Sequence, residues 1–235
     1  MVVDNGSGQV KAGFAGDDAP RALFPSVIGI PKQHSVMLGA ESKSKYVGDE
    51  AIAKKGVLKL TYPVEHGMVT DWEHMKLLWN HTFHDQLRVD DLTAYSIMLT
   101  EPSQNPKQNR EKMVQTMFDD YGFQSCFIAV QAVLSLYASG RTTGLVLDSG
   151  DGVSHIVPIY DGFSMPASVI RLDLAGREVT ERFQKLLCES GINLRTSAEL
   201  EICRDIKEKT SYIADDYEAE LEPRAASSTM DPSCV

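Results

Sequence analysis

The chain opens with the stretch MVVDNGSG (residues 1–8), and the closely similar stretch LVLDSGDG returns at residues 145–152. In each stretch a short apolar run ends in an aspartate, and glycines stand at the second and fourth positions after it. Apolar residues resume after both stretches, which predicts two β-hairpins with tight, glycine-rich tips. The repetition predicts an internal duplication, in which two similar lobes place their hairpin tips opposite each other across a cleft.

The glycine-rich tips have the chemistry of a phosphate site. Glycine permits a positive φ and close approach, so that backbone N–H groups can face phosphate oxygens. Ser7 adds a hydroxyl donor, and Lys11 adds a compact positive charge just beyond the first tip. A single loop of this kind is also common in ordinary hairpin turns. The second copy favours the hypothesis that two loops hold a triphosphate from two sides. Neither G-x-x-x-x-G-K-[ST] nor a strand followed by G-x-G-x-x-G occurs in the sequence.

Each hairpin also carries an aspartate, Asp4 in the first and Asp148 in the second. At a separation of about 5 Å and an effective dielectric constant of about 20, two carboxylates repel by about 3 kcal/mol. We therefore expect a cation between them. Hydrated Mg²⁺ or Ca²⁺, held through water and bound to phosphate oxygens, fits this requirement, and Asp151 could join the set.

Amphipathic patterns predict four helices. Capping boxes at 70–73 and 196–199 open the first and the fourth, Asn105-Pro106 precedes the second, and the third covers roughly 176–191. The apolar stripes of these helices are predicted to be core: Met75, Trp79, Phe83, Met113, Met117, Val179, Phe183, Leu187, Ile202, Ile206 and Ile213.

The composition is that of a globular protein, with 43% hydrophobic residues and a formal net charge of −10. The basic residues are scattered and no window has 18 apolar residues, so we expect no nucleic-acid partner and no membrane insertion. The four cysteines, Cys126, Cys188, Cys203 and Cys234, are far apart, which favours free thiols in the reducing cytoplasm.

Two segments differ from their surroundings. A glycine-rich, polar stretch predicts a small inserted subdomain at about 26–62, with a mobile loop around Val36-Met37-Leu38. That apolar loop could serve a partner or be a buried hairpin tip. The last residues, about 225–235, have no periodicity and are predicted to be disordered.

The residues around both tips resemble the actin family. The similarity is carried by residues 4–21, 46–51, 65–67, 109–113, 131–144, 148–152, 173–177 and 204–209. It implies an α/β fold, the two-lobed ATPase fold shared by actin, hexokinase and the heat-shock chaperones, with duplicated ribonuclease-H-like lobes. We expect the first lobe at 1–138 and the second at 139–235. Because actins continue for another third or more, the resemblance also implies an incomplete second lobe, with apolar faces left exposed.

The resemblance implies ATP or ADP with Mg²⁺ or Ca²⁺ as cofactors, and it assigns roles to individual residues. Gln131 matches the residue that orients the attacking water, and His155 matches one that completes the water network, with Asp148 as the third catalytic residue. From the residues alone, Gln131 is more often a helix cap and His155 is usually a structural histidine, so their catalytic roles rest on the resemblance. His66 matches a histidine that actins often methylate. The residues expected to bind the nucleotide are Gly6, Ser7, Gly8, Gln9, Lys11, Gly150, Asp151, Gly152, Val153, Gly176, Arg204, Lys207 and Glu208, and those expected to hold the metal through water are Asp4 and Asp148.

The function that the resemblance implies is a slow ATPase of the cytoplasmic cytoskeleton that assembles into filaments. Its expected partners are further copies of itself and actin-binding proteins of the myosin, profilin or cofilin type. Departures from the family pattern, at Gln9, Ile30 and residues 90–104, leave a second hypothesis: a non-hydrolysing actin-related subunit held as a monomer in a larger complex. A sugar kinase of the same superfold is a third, but no sugar-binding insert is visible.

Overall fold

The structure, a computed structural model, describes residues 1–32 and 43–220. The predicted mobile loop around Val36-Met37-Leu38, the predicted disordered tail at 225–235 and Cys234 lie outside these residues. Within the described residues, the strands are β1 (Val2–Asn5), β2 (Gln9–Gly13), β3 (Ala22–Pro25), β4 (Ile28–Pro31), β5 (Tyr46–Val47), β6 (Leu58–Thr61), β7 (Val64–Glu65), β8 (Met68–Val69), β9 (Ser96–Glu101), β10 (Ser125–Val130), β11 (Gly144–Ser149), β12 (Ser154–Tyr160), β13 (Phe163–Ser164) and β14 (Ile170–Leu172).

The helices of the same ranges are α1 (Asp49–Ala53), α2 (Trp72–Asn80), α3 (Lys107–Gln115), α4 (Gln131–Ala138), α5 (Gly176–Glu189) and α6 (Ser197–Thr210). Two of them continue into π-helical turns, α2 at His81–Gln86 and α3 at Thr116–Asp120, and a 3-10 turn lies at Pro166–Ser168. None of the helices in the described residues is both long and apolar enough to cross a bilayer.

The first sheet has five strands in the order β10-β9-β1-β2-β3. Strands β1, β2 and β3 run antiparallel, whereas β1 and β9, and β9 and β10, are parallel. Apolar residues of this sheet pack on α2 and α3 in one core. The predicted core residues of these helices are all buried, so that prediction is confirmed: Met75, Trp79, Phe83, Met113 and Met117.

The second sheet contains the second predicted hairpin, β11 and β12, with β13 and β14 pairing to β12. One of its faces is covered by α4, where Val157 and Ile159 pack against Leu136. The other face carries exposed apolar side chains, because the register places Leu147, Ile156 and Ile170 in one row across the sheet. The exposed apolar side chains on that face include Leu145, Leu147, Ile170 and Leu172.

The segment predicted as an inserted subdomain forms a small sheet of its own, β5-β4-β6, together with α1. Its core is separate from that of the first sheet and contains Val27, Tyr46, Ala51, Leu58 and Leu60. The division of the chain into lobes at residues 138 and 139 stays a prediction.

The two predicted capping boxes have different outcomes. Thr196 is the N-cap of α6, and its hydroxyl accepts from the Glu199 N–H at 3.3 Å while the Glu199 carboxylate accepts from the Thr196 N–H at 2.7 Å. The box predicted from Thr70 is wrong, because α2 begins one residue later. Its N-cap is Asp71, whose carboxylate accepts from the His74 N–H at 3.0 Å.

The predicted core stripes of the last two helices are also wrong in part. Val179 on α5 is 50% exposed and Ile202 on α6 is 38% exposed, and Phe183, Leu187 and Ile206 are only half-buried. Ile213 lies beyond the end of α6 and is 97% exposed. Helical periodicity indicates which side chains share a face, but burial needs a second layer, and the described residues do not cover these side chains.

Candidate functional site

The two hairpin tips have the same backbone geometry. The N–H of Gly6 donates to the carbonyl of Gln9 at 3.1 Å, and the N–H of Gly150 donates to the carbonyl of Val153 at 3.1 Å. The register also corresponds: Asp4 lies opposite Lys11 in the first hairpin, and Asp148 lies opposite His155 in the second. The predicted duplication of this device is therefore present in the backbone.

The tips contact each other through their last glycines. A Cβ on Gly8 would lie 2.8 Å from the Cβ of Asp151, and a Cβ on Gly152 would lie 2.5 Å from the Oγ of Ser7. Because Ser7 and Asp151 occupy the same place in their loops, the two contacts are related by an approximate twofold symmetry. Neither position has room for a side chain, so glycine is required for the tips to approach.

A third loop fastens both tips. Between β7 and β8, the Gly67 N–H donates to the Ser7 Oγ at 2.9 Å, and His66 Nδ1 lies 2.7 Å from the Gly152 carbonyl oxygen. Since this carbonyl can only accept, Nδ1 carries the proton in that bond. His66 has a φ of 47°, in the left-handed region, which directs consecutive groups of one short turn to opposite tips.

The N-terminus of α5 holds the second tip from behind. The N–H groups of Gly176 and Arg177 donate to the carbonyls of Gly150 at 3.0 Å and Asp151 at 2.7 Å. The Arg177 guanidinium also reaches the Asp151 carboxylate at 3.3 Å and the Ser7 carbonyl at 3.4 Å. Two of the first-turn donors of the helix are thereby satisfied by the loop, and one arginine joins the two tips.

A cavity of about 1110 Å³ lies at the meeting of the tips. Its volume is slightly above the usual range for small-molecule sites, about 300–1000 Å³. The cavity brings together every predicted site residue except His155: Asp4, Gly6, Ser7, Gly8, Gln9, Lys11, Gln131, Asp148, Gly150, Asp151, Gly152, Val153, Gly176, Arg204, Lys207 and Glu208. His155 is 3% exposed and lies in β12 opposite Asp148.

At one end of the cavity Asp4 is held by neutral donors. Its Oδ1 accepts from the Thr100 hydroxyl at 2.5 Å and from the Gln131 side-chain amide at 3.0 Å. Its Oδ2 lies 4.0 Å from the Lys11 ammonium, which is half exposed. One carboxylate oxygen is thus bound to the scaffold, while the other is on the side of the lysine.

The second aspartate is in a less favourable environment. Burial raises the pKa of Asp148 and the charge of Asp4 raises it further, although His155 and Lys11 act in the opposite direction. Burial also lowers the pKa of His155, and the positive charge of Arg171 adds to this effect. His155 is therefore neutral at pH 7, and its buried Nε2 has no hydrogen-bond partner among the described residues.

These residues fit a nucleotide with a divalent cation. Asp148 is a carboxylate whose charged form is disfavoured by burial and by a second carboxylate, and a cation would relieve both effects. Within the described ranges no group of three or more His, Cys, Asp or Glu residues could hold a metal ion by itself. An ion between Asp4 and Asp148 would have to take its remaining ligands from water and phosphate, as Mg²⁺ commonly does.

At the other end of the cavity the basic residues of α6 already have protein partners. Arg204 lies 3.4 Å from the Asp151 carboxylate and 3.6 Å from that of Glu201. The Lys207 ammonium donates to the Gly176 carbonyl at 2.9 Å and to the Thr180 hydroxyl at 2.8 Å. Both residues line the cavity, and both also bind α6 to the elements that carry the second tip.

Four residues of the site were missed by the sequence analysis: Thr100, Arg177, Tyr62 and Glu201. The Tyr62 hydroxyl donates to Glu201, and the Arg177 guanidinium lies 4.8 Å from the centre of the Tyr62 ring. Glu201 had a signal, because it is three residues before Arg204 and so shares its helical face. Thr100 had none, since its partner Asp4 is 96 residues away.

Together, the fold and the cavity define a class of protein: a mixed α/β chain in which glycine-rich hairpins from two different sheets enclose a polar cavity. A family model described as Actin matches residues 1–232, and the chain belongs to the actin family. Proteins of this family generally bind a nucleotide with a divalent cation and are generally cytoskeletal.

Proposed function

We propose that this chain binds ATP with Mg²⁺ or Ca²⁺ between its two glycine-rich tips, hydrolyses the ATP slowly, and assembles with copies of itself into filaments. The observation that carries the nucleotide site is the reciprocal fit of the tips, Gly8 on Asp151 and Gly152 on Ser7, at a cavity that both Asp4 and Asp148 line. Two facing loops with one aspartate each are suited to a polyphosphate that brings its own cation.

In this proposal each end of the cavity has a separate task. The tips and Lys11 bind phosphate oxygens, because a lysine is a compact charge on a flexible stem. The bound cation supplies charge neutralisation of the phosphates. Asp4 and Asp148 orient the water around that cation, while Arg204, Lys207 and Glu208 line the end proposed for the adenosine.

Hydrolysis requires a water molecule in line with the bond to be broken. Gln131 is a candidate to orient it. Its amide nitrogen donates to Asp4 and to Thr100, so its side-chain oxygen is left as an acceptor for water. His155, which its lowered pKa keeps neutral, lies opposite Asp148 in the hairpin and does not line the cavity, so its proposed part in the water network is indirect.

Retention of ATP tests the site. We expect the purified chain to retain ATP in the presence of Ca²⁺ and Lys11→Met to weaken that affinity about tenfold, because a hydrogen bond to a charged group is lost. Lys107→Met is the matched control, since Lys107 is 86% exposed on α3 and does not line the cavity. Equal ATP affinity in all three proteins would contradict the proposed site.

Hydrolysis and assembly are tested on the same sample. We expect phosphate release with pelleting under polymerising salt, and slower release in Gln131→Ala at unchanged ATP affinity. ATP retention with neither phosphate release nor pelleting would instead support the non-hydrolysing subunit of a larger complex. Membership of the actin family supports self-association, partners of the myosin, profilin or cofilin type, and a place in the cytoplasmic cytoskeleton.

A further inference from the structure

The end of β9 carries the hydroxyl of Thr100, which contacts two residues of the proposed site. Thr100 is 6% exposed, and its Oγ1 lies 2.5 Å from Asp4 Oδ1 and 3.2 Å from the Gln131 side-chain nitrogen. The same nitrogen lies 3.0 Å from Asp4 Oδ1. The three side chains thus form a closed triangle of hydrogen bonds beside the cavity.

The chemistry of the triangle fixes the direction of each bond. A carboxylate can only accept, so the single proton of the Thr100 hydroxyl points to Asp4. The hydroxyl oxygen can then accept from Gln131, whose amide must turn its nitrogen toward both partners. The amide oxygen of Gln131 is therefore directed away from Asp4, and Gln131 lines the cavity.

The surroundings hold Thr100 in place. Thr100 is β-branched, which restricts its first side-chain torsion. The next residue, Glu101, is 3% exposed and accepts two hydrogen bonds from Arg110, at 3.0 and 2.5 Å, and one from Asn105 at 3.1 Å. The end of the strand is thus anchored by a buried charge on one side, while the hydroxyl faces Asp4 on the other.

We propose that Thr100 is a positioning residue of the nucleotide site, which sets both the orientation of the Asp4 carboxylate toward the cation and the orientation of the Gln131 amide. This inference rests on the proposed function. Thr100 acts only through Asp4 and Gln131 and touches neither the nucleotide nor the cation. Its loss selectively weakens the part of ATP binding that depends on the cation.

The test compares Thr100→Val, which removes the hydroxyl at nearly constant shape, with Thr100→Ser, which keeps it. Retention of a fluorescent ATP analogue is titrated with buffered free Ca²⁺, and its affinity is measured again in excess chelator. In Thr100→Val we expect the half-maximal Ca²⁺ concentration to rise about tenfold to hundredfold, with an unchanged affinity in chelator. Thr100→Ser is expected within about threefold of the original protein. An unchanged Ca²⁺ requirement in Thr100→Val overturns the inference and leaves the proposed function standing.

A second measurement needs no ligand. The exchange of the Gln131 side-chain amide protons with solvent, followed by nuclear magnetic resonance, should be faster in Thr100→Val and unchanged in Thr100→Ser. If the Gln131 side-chain protons exchange equally fast in Thr100→Val and Thr100→Ser, the hydrogen-bonded triangle does not exist. If both variants lose ATP affinity to the same extent with Ca²⁺ and in chelator, Thr100 has a packing role and not a positioning role. If the Gln131 side-chain protons of the original protein exchange slowly but the protein retains no ATP, the proposed function is wrong. This inference, which rests on that function, is then wrong as well.

Discussion

The contact between the two tips makes a quantitative prediction for Gly152→Ala. The new Cβ would lie 2.5 Å from the Oγ of Ser7, 2.8 Å from its Cβ and 3.1 Å from the backbone nitrogen of His66. The backbone of Gly152 is not in the left-handed region, so alanine adds steric overlap without backbone strain. Overpacking of this kind costs about 1–3 kcal/mol. For a chain of this size, a loss of about 2 kcal/mol lowers the melting temperature by about 4–8 °C.

The assay is thermal unfolding followed by circular dichroism, with two comparison variants. Gly56→Ala is the control, because its Cβ would meet no atom within 4 Å, and we expect its melting temperature to change by no more than about 2 °C. Ser7→Gly removes both Ser7 atoms that the new Cβ meets. The double variant should therefore be more stable than the sum of the single effects predicts, by about 1 kcal/mol.

Equal melting temperatures for Gly152→Ala and Gly56→Ala would refute the predicted overlap, since the tips would then not be in contact. If the stability changes of Gly152→Ala and Ser7→Gly add exactly in the double variant, the new Cβ does not overlap with the Ser7 side chain.

Three further predictions concern titratable side chains of the site. Asp148 has a raised pKa in the folded protein, so its ionisation opposes folding above its unfolded pKa. Asp148→Asn should therefore raise the melting temperature at pH 7 without ligand and abolish stabilisation by Ca²⁺ with ATP. A lower melting temperature of the variant without ligand would contradict this. His155 has a lowered pKa, so the unfolded chain binds its proton first and stability falls as the pH drops below about 6.5. In urea unfolding series between pH 7 and 5, the free energy of unfolding should depend less steeply on pH in His155→Gln. The same pH dependence in both proteins would count against this effect. Tyr62→Phe removes the hydroxyl bond to Glu201 but keeps the ring beside Arg177, so we expect a loss of about 1 kcal/mol in urea unfolding, and no loss would show that the bond contributes nothing.

The sequence predicted those parts of the fold and site that have a local signal. The two tips were predictable because each combines an aspartate, two glycines and flanking apolar residues within a few positions, and the cores of α2 and α3 were predictable because Trp79 and Met113 lie on periodic stripes. The stripe of α5 was equally periodic, yet Val179 is exposed. Periodicity carries no information about the layer that a helix face meets.

The contacts that join the tips were not predictable from local patterns. Thr100 is an ordinary strand residue in the sequence, and only the parallel pairing of β1 with β9 brings it to Asp4. The start of α2 illustrates a closer competition: Thr70 and Asp71 are both good N-caps, and the capping-box pattern favoured the threonine, whereas the structure caps the helix with the aspartate.

The fastening of the first tip has a consequence for synthesis of the chain. Ser7 is joined to Gly67, 60 residues later, and through its carbonyl to Arg177, 170 residues later. At about 5–20 residues per second, about 10–30 s pass between the synthesis of Ser7 and that of Arg177. Until residues 148–152 have been synthesised the first hairpin has no opposite tip, so a ligand that binds between the tips could not guide its folding on the ribosome. Any assistance from a ligand bound between the tips would reach only chains that have been extended beyond the second tip.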